Sequence, residues 1–92
     1  MAYQLLYSET SRKQIRKLHP QIKHLVKSKI ERLQDNPFSG KWLEKELSGY
    51  LSMQAKRFRV IYRVKDEDQI IEIHYVGRRK DIYELFKEAI AK

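Results

Sequence analysis

The sequence predicts an α+β fold in the order βααβββα, with an N-terminal helical hairpin packed on a small, mainly antiparallel sheet and a short helix at the C-terminus. Three features of its hydrophobic pattern lead there. Ile22, Leu25, Val26, Ile30 and Leu33 recur at helical spacing; the period drops to two after Gly49; and Ile82, Leu85, Phe86 and Ile90 return to one helical face. The 92 residues leave room for one domain over 1–92 with a single modest core.

The elements follow in order. Residues 3–7, Tyr-Gln-Leu-Leu-Tyr, are β-prone, and Ser8, Thr10 and Ser11 follow as candidate helix N-caps. A first helix over about 9–18 has only Ile15 and Leu18 as an apolar stripe, whereas Pro20 suits the first turn of a second, more strongly patterned helix. Asn36-Pro37 stops that helix. Phe38 to Gly49 carries two of the three glycines and reads as an irregular connection with Trp42, Leu43 and Leu47 tucked inward.

Beyond Gly49, Leu51, Met53 and Ala55 alternate with Ser52, Gln54 and Lys56, and Phe58, Val60, Tyr62 and Val64 alternate with Arg57, Arg59, Ile61 and Arg63. Each strand of this hairpin has one core face. Asp66-Glu67-Asp68 is a polar turn, and Ile70 to Val76 forms the last strand of a meander ending at Gly77. A helix from about Lys80 to Ala91 then caps the sheet. With the helices expected on one sheet face, the other is left open.

Composition removes several classes of function. With no cysteine there is no disulfide framework, thiolate-held zinc or thiol nucleophile, and a reducing cytoplasm is expected. No apolar run reaches the length of a membrane span, and the N-terminus turns polar too early for a signal peptide. His19, His24 and His74 are scattered without metal-ligand spacing, and there is no glycine-rich phosphate loop or serine elbow. Neither a metal nor a cofactor is expected.

The net charge of +8 is unevenly spread. Residues 12–32 hold eight cations (Arg12, Lys13, Arg16, Lys17, Lys23, Lys27, Lys29 and Arg32) against Glu31 alone, a local excess of +7. The hairpin is thus either a solvated basic surface or a docking surface for RNA, DNA or an acidic protein. A second set is positioned by strand alternation. Arg57, Arg59 and Arg63 are expected on one side of the central strand, where mutual repulsion suggests a ligand with several phosphates. Arg78, Arg79 and Lys80 follow the last strand, and Tyr83 either packs in the core or offers a ring for base stacking.

Those residues carry a resemblance. The element order, the string Phe58-Arg59-Val60-Ile61-Tyr62-Arg63-Val64 and the string Val76-Gly77-Arg78-Arg79-Lys80-Asp81-Ile82-Tyr83 resemble the RelE/ParE superfamily of type II toxins over nearly the whole chain. Ser8-Glu9 before the basic hairpin and Leu47-Ser48-Gly49-Tyr50 before the meander are also similar in order and spacing. In the RelE branch, the resemblance implies a ribosome-dependent, metal-free endoribonuclease that cuts mRNA by attack of a ribose 2′-hydroxyl on the adjacent phosphate. Arg59 would stabilise the phosphate, Arg79 would assist at the leaving oxygen, and Tyr83 would orient or stack the substrate. Lys13, Arg16, Lys17, Lys23, Lys27, Lys56, Arg57, Arg63 and Arg78 would bind RNA or the ribosome. The expected partner is a cognate antitoxin whose acidic C-terminal segment wraps the toxin in a hetero-oligomer.

The chain also departs from the RelE pattern. Two basic side chains of the preceding strand correspond here to Ser52 and Gln54, neither of which can act as a lysine-type base. The YoeB branch has two arginines where this chain has Met53 and Gln54, and its catalytic glutamate falls nearest Lys41. Lys56 or His74 could supply a base if sheet register brings either near Arg59. Two other functions stay open: a ParE-type inhibitor of DNA gyrase, which needs no catalytic set, and a catalytically weak, antitoxin-bound relative acting in operon autoregulation.

Overall fold

The computed structural model describes residues 2–92. It forms strand β1 (Gln4–Tyr7), helices α1 (Glu9–Arg16) and α2 (Pro20–Arg32), strands β2 (Lys41–Trp42), β3 (Leu51–Ala55), β4 (Phe58–Lys65) and β5 (Ile70–Arg78), and helix α3 (Ile82–Ile90). The five strands make one sheet in the order β1-β5-β4-β3-β2. β1 runs parallel to β5 and the remaining pairs are antiparallel.

The α1–α2 hairpin forms where its end signals are strongest. The Ser8 hydroxyl caps α1 by accepting from the Ser11 amide at 3.0 Å, and Pro20 opens α2 behind His19. Three side chains then complete the sheet edge where β1 stops. Ser8 Oγ donates to the His74 carbonyl at 3.0 Å, Ser11 Oγ donates to the Ile73 carbonyl at 2.9 Å, and Gln14 Oε1 accepts from the Val76 amide at 2.6 Å. Polar side chains thus take the place of a neighbouring strand, so the beginning of β5's second half is not left unpaired.

The main core lies between this hairpin and one sheet face. Ile15, Val26, Ile30 and Leu33 meet Leu51, Ala55, Val60, Tyr62, Ile71, Ile73 and Val76 there. Truncating a fully buried member such as Ile30 to alanine removes about 2–5 kcal/mol of stability. The core faces expected for β3 and β4 hold, with Met53 and Val64 half-buried against that core, except that the half-buried Phe58 lies outside it, with the Arg78 guanidinium 5.9 Å from its ring centre.

Three expectations are corrected. The connection after α2 contains a two-residue strand, β2, in which Trp42 is exposed, while Leu47 is buried and Leu43 packs beside it. The helices do not share a face: α3 covers the sheet from the other side, where Leu47, Ile61, Ile82 and Phe86 form a second cluster. Ile61 is therefore core rather than part of an open polar face. The strand pattern hides this because Ile61 is one apolar residue in an otherwise cationic alternation, and only the amphipathic α3 makes its burial possible.

Register shifts once. Ile61 pairs with Tyr75 and Tyr62 with Ile73, leaving His74 unpaired in a bulge of β5. Among the described residues no helix is long and apolar enough to cross a membrane.

Candidate functional site

Sheet register builds the site. β2 pairs Lys41 with Ser52, and β3 pairs Ser52 with Ile61 and Gln54 with Arg59. Directly opposed residues share a face, so Lys41, Ser52, Gln54, Arg59 and Ile61 all stand on the side covered by α3. At the first turn of that helix the strands still show their polar side chains. There, Arg59 Nη1 donates to Ser52 Oγ at 3.0 Å and Nη2 donates to Gln54 Oε1 at 3.4 Å. Ser52 Oγ lies 2.9 Å from Tyr83 Oη on α3.

Ser52 is only 1% exposed, although strand alternation suggested a solvent-facing position. A buried hydroxyl must be partnered, and this one is partnered by Arg59 and Tyr83. The guanidinium is thereby held at two of its nitrogens while the half-buried residue keeps an outward edge. No arginine is neutralised by a carboxylate, because the ion pairs among the described residues are Lys13–Glu9, His74–Glu72 and Lys87–Glu84. The geometry offers a fixed, unneutralised cation beside a phenol, which suits stabilisation of a multiply charged anion.

A second cationic feature adjoins it. Gly77 pairs with Arg59 across β4 and β5, and Arg79 follows two residues later, its amide donating to the Arg57 carbonyl at 2.7 Å. Arg57, Arg78, Arg79 and Lys80 line a cavity of about 190 Å³. Arg57 lies in the β3–β4 turn rather than on the strand, so it joins this loop set. Lys56 occupies the same turn with φ of 56°, and its carbonyl accepts from Gln54 Nε2 at 3.1 Å.

Arg63 is separated from these groups. It lies four residues beyond Arg59, about 13 Å along the strand, and the Ile61–Phe86 cluster intervenes. Its guanidinium instead lies 5.9 Å from the Tyr50 ring centre. The three strand-side arginines expected together on one open face therefore occupy a turn, the site and the far side of α3. His74 also lies at that far end, bonded to Glu72 at 3.1 Å and edge-on to Tyr50 at 5.2 Å, so it is not brought to Arg59.

The hairpin cations occupy the opposite side of the sheet from Arg59. Arg12, Arg16, Lys23, Lys27 and Glu31 surround a groove of about 480 Å³ whose floor includes Leu5, Tyr7 and Ile15. Burial, with the Glu31 charge as a lesser cause, raises the Tyr7 pKa. Lys13 pairs with Glu9 at 3.1 Å, and Lys17 is exposed at the end of α1. Among the described residues no three His, Cys, Asp or Glu side chains form a set that could hold a metal ion.

Of the residues expected to act together, Arg59 and Tyr83 meet through Ser52, which the sequence marked only as a missing base. The available signal was strand pairing: Ser52, Gln54 and Arg59 are on the same face of neighbouring strands once the hairpin register is known.

Comparison with known proteins gives a consistent result. Residues 5–83 match the family model of the ParE toxin of the type II toxin–antitoxin system parDE. The chain is 34% identical over 85 residues to Toxin RelG of Mycobacterium tuberculosis, covering 90% of this chain and 98% of that protein. It superposes with a TM-score of 0.80 and 31% identity on a chain of the M. tuberculosis RelBE2 toxin–antitoxin complex, covering 88% of this chain and 95% of that one. A free-state variant of Escherichia coli toxin RelE has the same fold, with a TM-score of 0.80 at 24% identity over 99% of this chain and 97% of the other.

Proposed function

The chain belongs to the RelE/ParE superfamily of type II toxin–antitoxin toxins, and from that premise we propose that it is a RelE-type endoribonuclease, cutting mRNA on the ribosome until a cognate antitoxin neutralises it. The observation that carries this reading is the Arg59 guanidinium held in advance by Ser52 and Gln54. Cleavage by a 2′-hydroxyl places extra negative charge on the phosphate oxygens in the transition state. A cation that does not have to be organised during the reaction stabilises that charge most effectively.

Tyr83, bonded to Ser52, is suited to orienting the ribose or stacking on its base. Arg79, on the loop after β5, is suited to the departing oxygen, where it would neutralise charge rather than transfer a proton. Ser52 then has a positioning role in place of a lysine's proton chemistry. The cationic cavity of Arg57, Arg78, Arg79 and Lys80 supports contact with neighbouring phosphates.

The hairpin groove supports the antitoxin part of the reading. An apolar floor of Leu5, Tyr7 and Ile15 rimmed by Arg12, Arg16, Lys23 and Lys27 suits an acidic amphipathic segment, and the solved relative RelBE2 is itself a toxin–antitoxin complex.

A gyrase-inhibiting function is the second reading. It is favoured by the ParE description of the matching family and by the lack of a lysine-type base at Ser52 and Gln54. Induction of the chain in cells separates the two: breaks within translated codons support the nuclease, whereas intact mRNA with a DNA-damage response supports the gyrase inhibitor. A relative acting only in operon autoregulation would produce neither.

A further inference from the structure

The sheet face that carries Arg59 ends in a lysine not used by the groups described so far. β2 pairs Lys41 directly with Ser52, so its side chain stands on the α3 side, while the next residue, Trp42, pairs with Leu51 and turns to the hairpin side. Side chains opposed in this way start roughly 4.5–5.5 Å apart at Cβ. The Ser52 hydroxyl is the one bonded to both Arg59 and Tyr83, and the flexible stem of a lysine can bring its ammonium alongside them. Lys41 and Tyr83 are among the residues lining one cavity of about 190 Å³. Glu44 lines it too, yet the ion pairs among the described residues do not include Lys41, which leaves its exposed ammonium without a carboxylate partner.

Strand order gives this cation a definite place. The groups run from Arg79 beyond the end of β5, through Arg59 on β4 and Ser52 on β3, to Lys41 on β2. β4 and β2 are two strand spacings apart, roughly 10 Å; Arg59 spans the first by bonding Ser52, and Lys41 reaches across the second from the opposite side. Displacement at phosphorus puts the attacking and departing oxygens on opposite sides of the phosphate. With Arg79 at the departing oxygen and Arg59 at the phosphate, the attacking oxygen falls toward β2, beside Tyr83 and Lys41.

We propose that Lys41 is a catalytic residue whose charge stabilises the attacking 2′-oxygen of the RNA. It has this role only if the Arg59 site cleaves RNA, and it adds the nucleophile's side to that reading. In the step, the 2′-oxygen bonds to phosphorus as the bond to the 5′-oxygen breaks, leaving a 2′,3′-cyclic phosphate and a 5′-hydroxyl. The 2′ proton passes to water and the departing oxygen takes one from water, so Lys41 transfers none. Its ammonium favours the developing negative charge on the oxygen that loses its proton.

The test measures cleavage of ribosome-bound mRNA by the full chain and by Lys41→Met, Lys41→Arg and Lys65→Met. Lys41→Met keeps the apolar stem and removes the charge. It should lower the rate at saturating toxin on the order of 10- to 100-fold, less than the loss of a held donor, with the half-saturating concentration and the thermal midpoint unchanged. Lys41→Arg should recover the rate to within about threefold, because the charge is restored. Lys65→Met, roughly 20 Å along β4 from Arg59, should cut like the unsubstituted chain.

Cutting that Lys41→Met leaves unchanged overturns the role and leaves the nuclease reading standing; the lysine would then serve only to keep an edge strand from pairing with another chain. A change confined to the half-saturating concentration also overturns it, by assigning Lys41 to docking. So does a rate that stays as low in Lys41→Arg as in Lys41→Met, since charge would not be what the site requires. Uncut mRNA with the unsubstituted chain removes the nuclease reading and the role of Lys41 with it.

Discussion

Tyr83 Oη lies 2.9 Å from Ser52 Oγ, and the same serine oxygen accepts from Arg59 Nη1 at 3.0 Å. One buried hydroxyl therefore joins a helix that arrives last in the chain to an arginine on the central strand. α3 is anchored at the same end by Ile82, fully buried against Ile61 and Phe86. Packing of the second core and positioning of the site are thus a single arrangement: wherever α3 docks, Tyr83 is delivered to Ser52.

Ser52→Ala tests that arrangement. It removes two hydrogen bonds but no large volume, so stability should fall by only about 1 kcal/mol. mRNA cleavage should fall on the order of tenfold because Arg59 and Tyr83 lose their shared support. Thermal unfolding and a cleavage rate measured on the same preparation check the separation of the two effects.

Arg59 and Arg63 share a strand face but should differ sharply in their effects. Arg59→Ala should lower cleavage by about two to three orders of magnitude, the range for removing one transition-state donor. Arg63→Ala, beyond the α3 cluster, should lower it less than tenfold. Equal losses in a ribosome-dependent cleavage assay would contradict the division of that face by Ile61 and Phe86.

Gly40 is required for space. A Cβ there would lie 2.5 Å from the Tyr62 hydroxyl and 2.8 Å from the Ser52 carbonyl. The carbonyl belongs to a paired strand and cannot yield, so Gly40→Ala should push β2 away and destabilise the fold by about 1–3 kcal/mol. Denaturant unfolding measures the loss, and the Trp42 emission spectrum should change with it.

Tyr62 gives the fold an alkaline limit. Its buried hydroxyl donates to the Pro37 carbonyl at 2.9 Å and accepts from the Gly40 amide at 3.0 Å. Burial raises its pKa above the ordinary 10.0, with the Gly40 bond partly opposing the shift. The neutral phenol therefore contributes stability that is complete below the unfolded pKa and is lost as pH rises through the folded one. Unfolding free energy should fall above about pH 10, less steeply in Tyr62→Phe, which itself costs about 1–3 kcal/mol at neutral pH by leaving two backbone groups unpartnered. Parallel slopes for the two proteins would show that other groups set the limit.

The elements readable in the sequence are those whose pattern is local. Pro20 with the Ile22–Leu33 stripe marks α2, and the alternation from Leu51 to Val64 marks the hairpin and its core face, because burial on one side is enough to impose period three-and-a-half or two. What was not readable depends on contacts between distant segments. Ser52 reads as a polar surface residue until α3 covers it, and Ile61 reads as an outlier until Phe86 packs on it. Trp42 looks like a core residue by type, yet a two-residue edge strand leaves it exposed. The resemblance singled out Arg59, Arg79 and Tyr83 as candidates, whereas the serine that connects Arg59 with Tyr83 emerged only from register.

The most direct measurement is mapping of mRNA ends in a purified translation system supplied with this chain or with Arg59→Ala. The account predicts cuts within codons at the ribosomal decoding site that need translating ribosomes, persist without added divalent-metal cofactor beyond what translation requires, and disappear with Arg59→Ala. Uncut mRNA with the unsubstituted chain, or equal cutting by Arg59→Ala, would contradict it.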